Sequence, residues 1–154
     1  MTQQTGKTRF ERGLEKLAEV DGTAGKEVVE PLGDLGKYIV EFGFGDLYSR
    51  DGLSLRDREI ATVAMLTVLA GREPQLRLHL GAALNVGLTA AEIEEVIIHT
   101  VTFAGFPTAI NAMNLLHSIV EAREGQTPAG TPTDADATNV PVAEGGIATE
   151  RTSD

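Results

Sequence analysis

Arg72, Gln75 and His79 stand at three- and four-residue steps in GREPQLRLHLGAALNVG, the stretch from Gly71 to Gly87. On a helix, at about 100° per residue, Leu76, Leu80 and Ala83 mark a buried centre, and Arg72 and His79 fall about 45–70° to one side of it. Gln75 lies further round the same flank. Three polar groups along one edge of an apolar face form a pocket wall between helices. Histidine is the natural proton donor near neutral pH. The planar fork of Arg72 suits a carboxylate, and Gln75 could orient either neighbour. Glu59, one helix earlier, could pair with His79 or Arg72 and set the imidazole tautomer. Each residue also has a plainer reading. A histidine at a helix edge is commonly structural, Arg72 can point to water, and Glu59 can bond backbone or pair with Arg58.

Other constellations are weaker. Glu95 and His99, and His117 and Glu121, are i, i+4 pairs. Nothing supplies further ligands at a recognisable spacing, so no metal site is expected. Phe44, Tyr48, Phe103 and Phe106 could wall a pocket for a flat ligand, or fill the core. GFGDLY lacks phosphate-loop spacing. The chain has no cysteine, which excludes disulfides, thiol redox chemistry and thiolate nucleophiles.

The elements that must position these residues read as helices. The 154 residues suit one domain, and 42 % hydrophobic with 23 % charged residues is ordinary for a globular chain. Phe10, Leu14, Leu17 and Val20 recur at helical spacing, and DGTAG breaks that first helix. A second, irregular helical region is expected over about 26–43, followed by a loop, GFGDLYSRDGLS. Ser54 with Asp57 forms a capping-box pattern that opens a helix at Leu55 and ends at Gly71. Its later part is apolar on nearly all sides, which predicts the central core helix. Pro74 lies in the next helix's first turn and Gly87 caps its end. Thr89 with Glu92 opens another helix, Gly105 stops it, and Pro107 starts the last. No strand alternation competes, so the fold class is all-α, with short connections and antiparallel neighbours.

The segment 125–154 is rich in Pro, Gly, Thr, Ala and Asp and is read as a disordered extension of a 1–124 helical domain. Net charge is −10, of which the tail carries −4, and no basic stripe is present, so nucleic acid is not an expected partner. No apolar run reaches the roughly 18–20 residues that span a bilayer. The N-terminus has no apolar signal core, so no membrane partner and a cytoplasmic location are expected. Leu78, Ala82 and Val86 lie away from the buried centre of their helix, and Ile97, Ile98 and Val101 make the next helix apolar on two sides. Double-sided apolar helices in so small a body predict burial against another subunit.

REIATVAMLTVLAG, QLRLHLGAALNVGLTAAEIEEVIIHTVTFAGFPTAINA and FGDLYSRDGLS together resemble the carboxymuconolactone decarboxylase family. The resemblance covers Phe10 to Glu124 and is densest from Leu55 to Asn114. It implies the all-helical AhpD-like fold. One branch of the family carries C-x-x-C-x-x-x-H and reduces peroxides or disulfides. Its cysteine positions fall here at Arg72 and Gln75, its histidine at His79, and its proton-relay glutamate at or next to Glu59. Without cysteines that activity is lost. The other branch removes carbon dioxide from a carboxylated muconolactone without a cofactor and assembles from small subunits, so a homo-oligomer, a hexamer or trimer, is implied.

Such a reaction leaves electrons that must delocalise into the lactone carbonyl. It therefore needs a group to hold the carboxylates, hydrogen-bonding groups at the oxygen, and an acid to protonate the dienolate. The resemblance implies His79 and Glu59 as the catalytic pair, with Arg72, Gln75, Tyr48 and Phe44 binding the substrate. Two other readings stand beside it. One is a non-catalytic member that binds a small molecule or partner, and the other a relative of the peroxidase branch that has lost its cysteines.

Overall fold

The computed structural model describes residues 6–125, and those residues contain helices and turns but no strand. The tail from residue 126 onward lies outside the described residues. Helix α1 runs Arg9–Val29, and a short 3-10 turn, Glu30–Leu32, leads to α2, Asp34–Tyr38. A π-helical segment, Ile39–Tyr48, continues α2 without a break. Then come α3 (Leu55–Leu69), α4 (Glu73–Asn85), α5 (Ala90–Ala104) and α6 (Phe106–Glu124).

The predicted caps are present. Ser54 and Asp57 bond reciprocally at the start of α3, and Thr89 and Glu92 do so at the start of α5. These boxes satisfy amide groups that a helix N-terminus otherwise leaves open. Pro74 and Pro107 occupy the first turns of α4 and α6, and Gly87 and Gly105 take positive φ at the helix ends. Thr8 and Glu11 form a third box, at the start of α1. Its sequence signature is the same as the other two.

One expectation about the N-terminal half holds and one is corrected. DGTAG does interrupt the first helix: Gly22 leaves helical geometry (φ 62°, ψ −135°), and two helical stretches meet there in a kink within Arg9–Val29. Residues 44–48 are not a loop but the end of the π-helix. Tertiary contact overrides the local glycines here. At Gly13 a Cβ would stand 2.1 Å from the Val40 carbonyl oxygen, and at Gly45 one would stand 2.6 Å from that of Arg9. The glycines let α1 and the π-helix press backbone to backbone in an antiparallel pair, and the Arg9–Asp46 ion pair closes one end.

The core has two parts that share α4. Leu76, Leu80 and Ala83 face Val63, Ile93, Ile97, Ala109, Ala112 and Leu116 of α3, α5 and α6. Ala82 faces the other way, into Leu17, Val20, Val40 and Phe44 of the N-terminal pair. The central helix is therefore α4 rather than α3. Of the second apolar side of α4, Ala82 and Val86 are covered within the chain by the N-terminal pair, and Leu78 stays partly exposed. On α3 the buried residues are Glu59, Val63 and Thr67, whereas Met65 and Leu69 are more than half exposed.

Candidate active site

Glu59 sits at the first buried position of α3 and is 0 % exposed. A carboxylate that deep needs donors. The Nδ1 of His79 lies 3.0 Å from Oε2, and the Tyr48 hydroxyl donates to Oε1 at 2.9 Å. His79 comes from α4 on the side that carries Ala82, and Tyr48 from the last turn of the π-helix. With Nδ1–H directed to the carboxylate, the imidazole presents Nε2 outward. The His79 side chain is 22 % exposed, and Nε2 has no protein partner among the described residues. Such an arrangement can transfer a proton, with its tautomer set by a buried carboxylate.

Tyr48 is tied into this pair from several sides. Its hydroxyl lies 3.2 Å from the Thr62 Oγ1, and Thr62 donates in turn to the Arg58 carbonyl at 2.9 Å. Burial, and then the neighbouring Glu59 charge, push the Tyr48 phenol well above its usual range. It stays protonated and serves as a donor. The Arg58 guanidinium stands 5.8 Å over the Tyr48 ring and donates to the Arg50 carbonyl at 2.9 Å.

The other anticipated residues sit apart from this pair. Phe44 is 8 % exposed, packed beneath Tyr48 with ring centroids 5.1 Å apart. It supports the tyrosine from the core instead of walling a pocket. Arg72 is the exposed N-cap residue of α4, and its Nη1 donates to the Ala70 carbonyl at 3.0 Å. Gln75 is exposed. Both follow the α4 stripe that ends at His79, but neither bonds Glu59 or His79. Phe103 lies elsewhere, in an apolar groove with Met65, Val68, Leu69 and His99. His117 pairs with Glu94 of α5 at 3.3 Å, not with Glu121.

The model of the carboxymuconolactone decarboxylase family matches residues 33–118, a span that contains Tyr48, Glu59 and His79. The chain belongs to the carboxymuconolactone decarboxylase family. It is 37 % identical over 118 residues to the 4-carboxymuconolactone decarboxylase of Acinetobacter baylyi, covering 72 % of this chain and 86 % of that one. An uncharacterized 15.0 kDa protein of Paracoccus denitrificans is 34 % identical over 82 residues, 53 % of this chain and 61 % of its own. Nitrosuccinic acid decarboxylase of Metarhizium robertsii is 32 % identical over 77 residues, 49 % of this chain and 52 % of its own. Two of these three family relatives are thus named as decarboxylases.

One further residue of this carboxymuconolactone decarboxylase family chain is coupled to the site. Asp21 of α1 is only 6 % exposed, and the charges of His79 and Glu59 both act on it. Burial pushes its carboxyl up to about 6, opposed by His79 and reinforced by Glu59. Sequence reading missed Asp21 because it lies in DGTAG, where an aspartate before glycine reads as turn chemistry. Thr62 was missed as a site neighbour for a different reason. It matters only once the π-helix sets Tyr48 beside α3. Arg58, expected as a possible partner of Glu59, stands over the Tyr48 ring instead.

Proposed function

We propose that this protein is a cofactor-free carboxy-lyase acting on a small unsaturated lactone or related acid that carries a carboxylate. The observation that supports it best is the buried Glu59 carboxylate bonded to Nδ1 of a partly exposed His79, with Nε2 unpartnered among the described residues. The names of the two decarboxylase relatives support it further. Each substrate so named joins a carboxylate to an electron-withdrawing group, a lactone in one and a nitro group in the other.

In this reading the bond between the ring carbon and the carboxylate breaks, and carbon dioxide leaves. The electron pair passes into the conjugated lactone as a dienolate. His79, protonated on Nε2, delivers that proton to carbon and is recharged from solvent. Glu59 stabilises the imidazolium and holds its orientation, and Tyr48 holds Glu59. Arg72 and Gln75, along the same stripe of α4, grip and orient the substrate carboxylate. The apolar groove at Met65, Val68, Leu69 and Phe103 is proposed as the contact of a homo-oligomer, since patches of this kind mark interaction sites.

The test is carbon dioxide release from 4-carboxymuconolactone by the wild type and by His79→Ala. Turnover that falls by about 10²–10⁴-fold in the variant supports the reading. Folded wild-type protein that releases none removes this substrate, and the nitro acid named in the third relative becomes the next to try.

A further inference from the structure

Asp21 stands on α1 immediately before the kink at Gly22. The kink is tied to α4. Asn85 Nδ2 donates to the Val20 carbonyl at 3.4 Å, and Arg123 donates to Asn85 Oδ1 at 3.0 Å. Leu17 and Val20 pack on Ala82, one turn beyond His79. Past the kink the chain folds close over the same spot. A Cβ at Gly25 would lie 2.5 Å from the Leu17 Cδ1 and 2.9 Å from the Asp21 Cβ. Asp21 is thereby buried between the kinked helix and α4, and among the described residues no donor bonds its carboxyl. The charges of His79 on α4 and of Glu59 on α3 act on it. Lys26 and Glu27, further along α1, line an outer groove with Leu14, Gly22 and Thr23. The three groups are not arranged as metal ligands, for no such cluster exists among the described residues.

We propose that Asp21 is a positioning residue of the Glu59–His79 site, a carboxyl buried at the α1 kink against α4 whose charge is coupled to that pair. Its place in catalysis rests on the lyase reading, but the coupling itself does not depend on any substrate. Asp21 also lies before residues 33–118, so it comes from outside the segment that the family model matches. Its burial near the pair, without a donor of its own, gives it a reason to respond to their charge.

The coupling is measured by carbon-13 NMR of the aspartate carboxyls in the full-length protein, with Asp21 assigned by the resonance lost in Asp21→Asn. Its midpoint is expected near pH 6. Glu59→Gln should lower that midpoint and His79→Gln should raise it, each by about half a unit or more, since like charge disfavours and opposite charge favours ionisation. A midpoint unmoved in both variants overturns the proposal. If Glu59→Gln does not fold, the His79→Gln shift alone decides. In the rate assay, the acid limb of the pH profile for carbon dioxide release should move by about half a unit or more in Asp21→Asn. A profile superimposable on the wild type overturns the catalytic part. Wild-type protein that releases no carbon dioxide defeats the lyase reading, while the NMR titration still decides whether Asp21 is coupled to the pair.

Discussion

Glu59 is wholly buried, yet its carboxylate meets the Nδ1 of a histidine that remains 22 % exposed, at 3.0 Å. One partner is fixed by the core, and the other reaches the surface. Burial keeps the carboxylate from turning to solvent, so the imidazole has one preferred orientation and one nitrogen free for chemistry. Glu59→Gln preserves the volume but removes the charge that favours an imidazolium. Turnover of the carboxylated lactone is expected to fall by about 10²-fold or more. Steady-state rates at neutral pH check this, with circular dichroism to confirm the fold.

Tyr48→Phe removes one of the two hydrogen bonds to that carboxylate and leaves the ring packed on Phe44. The loss should cost about 1–3 kcal/mol of stability, because a buried charged acceptor is left short of a donor. Urea unfolding of both proteins measures it. A difference near zero would mean that water replaces the hydroxyl.

Asp21→Asn should alter stability with a definite sign. The wild-type carboxyl is raised in the folded state, from an ordinary 3.8 to about 6. Its favourable contribution is therefore present below about 3.8 and is lost as the pH rises through about 6. The neutral asparagine escapes that loss. The variant is expected to melt at a higher temperature than the wild type at pH 8, and the gap should narrow as the pH falls from 6 towards 4. Thermal scans across that range give the answer, and a gap that widens on acidification would refute the assignment.

Gly13→Ala tests how Tyr48 is positioned. The added Cβ would stand 2.1 Å from the Val40 carbonyl oxygen, so α1 and the π-helix must separate. Overpacking of this kind costs about 1–3 kcal/mol. Because Tyr48 rides on the π-helix, activity should drop as well as the melting temperature.

Phe103→Glu tests the proposed subunit contact. Phe103 is 78 % exposed and lines the apolar groove of α3 and α5. A charge buried without a partner is strongly unfavourable in an interface. Light scattering should show a smaller particle than the wild type. An unchanged particle mass would place the contact elsewhere.

The local signals of helix start and stop could all be read in one dimension. Ser54 with Asp57, Thr89 with Glu92, Pro74, Gly87, Pro107 and Gly105 act on backbone groups within a turn of themselves. Hydrogen bonds that short need no tertiary partner, so their residues carry the information alone. The pairing of Glu59 with His79 was legible too, from residue type, helical spacing and a resemblance along the chain.

What the tertiary structure decided is everything that depends on two distant segments meeting. Gly45 reads as part of an irregular, loop-like stretch and Gly13 carries no signal of its own, but between α1 and the π-helix both permit a close crossing. That crossing turns an expected loop into the helix that delivers Tyr48 to Glu59. Asp21 reads as a turn residue, and only the packing of kinked α1 on α4 buries it near the pair. On α3 the later part is apolar on nearly all sides, so its pattern chose no face; the packed stripe holds Glu59, Val63 and Thr67 while Met65 and Leu69 are exposed. Sequence periodicity reports what a helix face contains. Which face is buried, and against what, is set by partners that lie many residues away.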